Sequence, residues 1–195
     1  MDQGILEIPD EALCRQLMNR YSMLPNIVRH SYRVCQIACL LARELNRQGA
    51  LLNYQLIVAA SLLHDITKTR SLETKENHSE TGRNLLLGLG CPKVADIVAR
   101  HVRLGLDNDE EGSINTISEA HIVNYSDKRV RHDQVVTVQE RFEDLKARYA
   151  RTPAHLVLMR ERLAVYLDLE RRIFDHIAIG PASSEIMGLG AAVNL

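Results

Sequence analysis

The chain has 195 residues, 46% of them hydrophobic and 25% charged, which fits one globular domain and excludes a disordered or fibrous polymer. Lys and Arg number 24 against 25 Asp and Glu, a formal net charge of -1. That balance, with no Trp and 4% aromatics, argues against nucleic acid as the partner, because phosphate backbones attract basic patches and bases stack on aromatic platforms.

Helical periodicity runs from end to end. Pro9, Asp10 and Glu11 open a first amphipathic helix that reaches about Ser22, with Pro and acids where a first turn favours them. From Asn26 a long second helix carries His30, Val34, Ile37, Leu41 and Leu45 at three- and four-residue steps, until Gly49. The third, from about Asn53 to Ile66, is apolar nearly all round, as a buried central helix would be. Its core, Leu56 to Leu63, is the longest apolar run and too short for a bilayer, so no membrane partner is expected. A fourth helix starts near His78 and stops at Gly88–Gly90; Pro92 opens a fifth that ends near Val102. A polar loop over Leu104–Asn115 follows, placed where it could close over the molecule as a lid. Helices resume from Ile117 to Arg131, Thr137 to Ala150 and Pro153 to His176, about eight in all. No stretch alternates apolar and polar residues between turns, so no sheet is expected. The fold class is therefore all-α, a single helical bundle over 1–180 with a C-terminal tail over 181–195. The long last helix and apolar tail are compatible with a homodimer.

The N-terminal MDQGILEIPDEAL has neither a positive n-region nor a long apolar stretch, so no secretory signal is read there. Cys14, Cys35, Cys39 and Cys91 form no CxxC pair, which fits reduced thiols and a cytoplasmic location.

Eight histidines are many for this length. His30 lies on the apolar stripe of the second helix. His64 and Asp65 end the most hydrophobic one, His101 follows Ile97 and Val98 on an inward face, and Asp127 lies between Val123 and Val130. An ionised aspartate in an apolar interior costs several kcal/mol unless paired or bound to a cation. Any one of these residues alone reads as a core histidine or a buried cap. The set reads as ligands converging on a divalent metal, and imidazole with carboxylate suits Fe, Mn, Zn or Co better than calcium.

The ordered pattern His30, His64-Asp65 and Asp127 resembles the HD-domain superfamily of metal-dependent phosphohydrolases. HSYRV from His30, LLHDITKT from Leu62 and IVNYSDKRV from Ile122 resemble its three motifs, with Ser126 where alanine is usual. NHSETG around His78 and VARHV around His101 resemble the extra motifs of members with two metals, such as the symmetric dinucleoside-tetraphosphate hydrolases of bacteria. The resemblance implies one ion on His30, His64, Asp65 and Asp127, and a second on His78 and His101 with Asp65 bridging. It implies hydrolysis of a phosphate monoester or phosphoanhydride in a nucleotide or other small phosphorylated metabolite, by a hydroxide held between the metals. Asp65 is then catalytic as well as a ligand. Lys68 and Arg33, each three residues beyond a ligand, are expected to bring positive charge to the phosphate; Arg100 and Arg103 are weaker candidates. A non-catalytic module binding nucleotide or metal, and a di-iron oxygenase, are the alternatives the resemblance leaves.

Other motifs fail on inspection. Asp107-Asn-Asp109 begins like an EF-hand but has Ser118 where the loop needs Glu, and there is no HExxH, ExxH or GxxxxGK. His121, His132, His155 and His176 sit in polar settings and are given no role.

Overall fold

The fold comes from a computed structural model that describes residues 7–101 and 114–189. Ten α-helices are seen among these residues: α1 (Glu11–Arg20), α2 (Pro25–Arg47), α3 (Tyr54–Leu63), α4 (Lys68–Thr74), α5 (His78–Gly88), α6 (Pro92–Arg100), α7 (Glu119–Lys128), α8 (Val138–Tyr149), α9 (Pro153–Phe174) and α10 (Ser184–Met187). The all-α expectation holds.

Helix boundaries follow local chemistry. Asp10, Asn53, Asn77, Ser118, Thr137 and Thr152 each cap a helix by accepting a backbone N–H, and Pro25, Pro92 and Pro153 occupy first turns. The apolar α3 is the spine. It packs along α2 and also meets α1, α6 and α7, and Leu62 and Leu63 at its end are fully buried. α5 lies tightly on α6, where a Cβ on Gly82 would come 3.1 Å from Val98 Cγ1. α8 and α9 form an antiparallel arm whose outer half is exposed; Leu156, Val157 and Leu158 face solvent there. No helix is long and apolar enough to cross a membrane.

Three expectations need correction. α3 ends at Leu63 rather than Ile66, because Ile66 N–H bonds to the Leu63 carbonyl and Lys68 N–H to that of Asp65, tightening the chain into a turn. A helix not foreseen, α4, follows at once. A short antiparallel hairpin also exists: β1 (Val130–Arg131) pairs with β2 (Gln134–Val135), with His132 at φ +60° in its turn. Part of the tail is packed against the body: Ile186 is fully buried, and the Arg129 guanidinium donates to the Pro181 carbonyl at 2.7 Å. The loop read as a lid falls mostly within 102–113, outside the described residues, as does Arg103.

Candidate metal centre

Six side chains meet where α3 ends. α2 brings His30, the turn after α3 brings His64 and Asp65, α5 starts at His78, α6 ends at His101, and α7 carries Asp127. His64 and Asp65 are both about 1% exposed, so the turn delivers a carboxylate and an imidazole to the interior. Thr67 steadies the opposite side by donating its hydroxyl to the His78 carbonyl at 2.8 Å.

Three of the imidazoles are oriented the same way. Nδ1 of His30 lies 2.8 Å from the His132 carbonyl, that of His64 2.8 Å from Ser61 and that of His101 2.6 Å from Val98. A carbonyl only accepts, so each Nδ1 carries the proton, and Nε2 of the neutral ring is a lone pair aimed inward. These lone pairs face other acceptors. His30 Nε2 is 3.0 Å and His64 Nε2 3.8 Å from Asp127 Oδ1, and His64 Nε2 is 3.4 Å from Asp65 Oδ2. On the other side His78 Nε2 lies 3.3 Å and His101 Nε2 3.6 Å from Asp65 Oδ1, and the two Nε2 atoms are 3.2 Å apart. The His30, His64 and His101 lone pairs, set this close to carboxylate oxygens, repel them unless a cation stands among them.

The donor set fits such a cation. His64 Nε2 and Asp65 Oδ1 are buried without a hydrogen-bond partner, a rare and costly condition. His30, His64 and Asp65 offer donor atoms within 4.8 Å of one another, and so do Asp65, His78 and His101. Asp65 belongs to both triads.

The electrostatics agree. Burial alone would raise the Asp65 carboxyl, but His64 and Lys68 beside it hold it well below the usual carboxylate range. Asp127 is likewise held low against burial, chiefly by the Lys128 ammonium. Burial pushes His78 down to about 4, partly opposed by Asp65, so its ring is neutral at pH 7. Burial would lower Lys68, but Asp65 and Asp127 outweigh it and raise it; Lys68 Nζ lies 2.7 Å from Asp65 Oδ2.

Arg33 stands apart from this group. It is buried, its Nε donates to the Asp133 carbonyl at 3.0 Å and its Nη1 to Gln36, so it braces the hairpin that presents the His132 carbonyl to His30. Arg100 points outward and pairs with Asp96 at 3.2 Å. Among the histidines given no role, His121 is buried in the capping box of α7, and His132 supplies its carbonyl to His30.

A cavity of about 410 Å³ opens onto the cluster. Asp65, Lys68, His78, His101 and Asp127 form its floor. Its far wall is made by the α8–α9 arm, which contributes Arg141, Phe142, Tyr149, Met159, Arg162 and Tyr166. Sequence reasoning missed Lys128, which donates to Asp127 Oδ2 and to the His101 carbonyl at 3.4 Å. Its signal was present, since it directly follows Asp127 in a motif already singled out. The arm's contribution had no comparable signal.

An all-helical domain with two His/Asp triads sharing one carboxylate defines a class of metal-binding helical domains. The family comparison makes the class specific: residues 27–131 match the HD domain, so the chain belongs to the HD domain family, whose typical members are metal-dependent phosphohydrolases. The chain is similar to a tRNA (cytidine(56)-2'-O)-methyltransferase of Thermoplasma volcanium, with 29% identity over 144 residues, 66% of this chain and 40% of that one. It is also similar to Ribonuclease Y of Thermus thermophilus, 37% identical over 90 residues, and of Deinococcus radiodurans, 34% identical over 83. Those matches take in 46% and 42% of this chain but only 15% and 14% of the ribonucleases, so the chain spans well under half the length of these relatives. No solved structure matches it.

Proposed function

We propose that this protein is a metal-dependent phosphohydrolase acting on a phosphate monoester or phosphoanhydride of a nucleotide or similar small metabolite in the cytoplasm. The observation that carries the reading is the pair of triads sharing Asp65, with the inward lone pairs of His30, His64 and His101 crowded against carboxylate oxygens. His30, His64, Asp65 and Asp127 would hold one divalent ion, and His78, His101 and Asp65 a second; Fe, Mn, Zn and Co all suit these donors. Bound there, the metal would supply Lewis-acid neutralisation of the phosphoryl oxygens and an acidified water.

The chain's own groups do the rest. The Nδ1–carbonyl bonds fix three imidazoles before any ligand arrives, so little reorganisation remains. Lys68, half-buried at the cavity floor, places its ammonium beside Asp65, where a phosphoryl group would sit. Lys128 neutralises Asp127 and keeps the His101 backbone in place.

A second reading is a phosphodiester in RNA, favoured by the relatives named as a ribonuclease and a tRNA methyltransferase. The formal charge of -1 and the cavity of about 410 Å³ suit a small substrate better. The test is release of phosphate from a nucleotide panel with added manganese, iron or cobalt, beside cleavage of a short RNA. Phosphate release from a nucleotide supports the reading. RNA cleavage with no phosphate release moves the assignment to the diester, and silence on both with metal bound favours a non-catalytic module.

A further inference from the structure

The cavity holds more positive charge than its floor uses. Lys68 is paired with Asp65, and Lys128 with Asp127. Two further cations of the wall, Arg141 from α8 and Arg162 from α9, have no such tie to the floor. Arg141 binds Asp144 through Nη1 at 2.9 Å, but its Nε is sealed from solvent without a partner. Arg162 makes no hydrogen bond or ion pair with a described residue. An unpartnered guanidinium nitrogen in a half-closed cavity is costly, and guanidinium groups suit phosphate and carboxylate oxygens geometrically.

Helix spacing aims this wall. Met159, Arg162 and Tyr166 recur at i, i+3 and i+7 on one face of α9, and Arg141, Leu145 and Tyr149 at i, i+4 and i+8 on one face of α8. The two helices are locked near the floor by the Phe142 and Tyr166 rings, whose centroids are 5.4 Å apart, and Lys128 Nζ sits 5.6 Å from the Tyr166 centroid. The wall cations are therefore held opposite the His/Asp cluster. They come from residues beyond 27–131, outside the HD match.

We infer that Arg141 and Arg162 form a second anion subsite, which binds a phosphoryl group of the substrate other than the one presented to the His/Asp cluster. The substrate is then a small molecule with two phosphoryl groups. The apolar and aromatic side chains Phe142, Tyr149 and Met159 flank its uncharged body. This rests on the phosphohydrolase reading for the position of the first group, but not for the existence of the subsite.

The test uses binding, so it does not depend on turnover. Methylenebisphosphonate and methylphosphonate are titrated calorimetrically into the protein as purified, for wild type, Arg162→Gln, Arg141→Gln and Arg162→Lys. The inference expects each glutamine variant to lower the preference for the bisphosphonate over the monophosphonate about tenfold, the scale of one charge-assisted hydrogen bond, and lysine to restore part of it. A preference unchanged in both glutamine variants overturns the subsite. So does a wild type that shows no preference. A failure to release phosphate from any nucleotide, with the binding preference intact, would instead count against the catalytic reading alone. Circular dichroism of each variant confirms that the fold is kept.

Discussion

The region matched by the HD family and the α8–α9 arm divide the site between them. The first supplies the six His and Asp side chains, five of them buried and three of the imidazoles oriented by backbone carbonyls, together with Lys68 and Lys128. The arm supplies one wall of the cavity, carries exposed Leu156, Val157 and Leu158 on its outer half, and lies beyond the matched residues. The residues matched to the family therefore sit in the tightly packed half, and the cavity wall that lies beyond the match sits in the loosely packed one. Rigid placement of charge demands a dense surround, whereas a binding wall can sit where packing is thinner.

The sharpest way to break that division is Asp65→Ala. Both triads lose their common member, so bound metal should vanish by elemental analysis and phosphate release should fall by more than the roughly hundredfold typical of losing a residue that merely supports a ligand. Packing separates the halves next. Leu62→Ala, in the fully buried end of α3, should cost about 2–5 kcal/mol in denaturant unfolding, and Val157→Ala on the arm less than about 0.5 kcal/mol. Similar costs at the two sites would erase the contrast. If the Lys68 charge acts on the substrate as proposed, Lys68→Ala lowers kcat about a hundredfold and leaves metal content intact; equal metal loss there and in Asp65→Ala would make Lys68 a structural partner of the centre only.

The smallest effect concerns pH. His78 is held at about 4 in the fold against 6.5 in the unfolded chain, so between those values the unfolded state binds the extra proton. Stability of the chelator-treated protein should therefore fall as pH drops from 6.5 to 4, by roughly 1–3 kcal/mol, and His78→Gln should flatten that slope. Asp65 and Asp127, depressed below the usual carboxylate range, contribute stability that is lost as pH falls into and below that range, so they add to the slope only at the acid edge of the window.

The two halves also differed in how far the sequence exposed them. His30, His64-Asp65 and Asp127 stood out because charged or titratable residues in apolar helical stripes need a physical reason. The fold class was legible for the same periodicity. The arm was not: Arg141 and Arg162 lie in charged stretches that read as solvated faces, and only the placement of α8 against α9 turns them toward the cavity. Helix α4 was missed because KTRSLET is short and polar, with no apolar stripe to reveal it. The hairpin after Asp127 has two-residue strands, too short for alternation to register, yet its turn supplies the carbonyl that orients His30. Three-residue spacing places Arg33 near His30 in sequence, whereas its guanidinium donates to the Asp133 carbonyl in the hairpin.

The central claim is that Asp65 is shared by two metal positions. Crystals grown with manganese test it directly, through anomalous scattering. The account predicts two peaks, one among His30, His64 and Asp127 and one between His78 and His101, both against the Asp65 carboxylate. A map with a single peak or none among these six side chains, from protein soaked at saturating manganese, would contradict it.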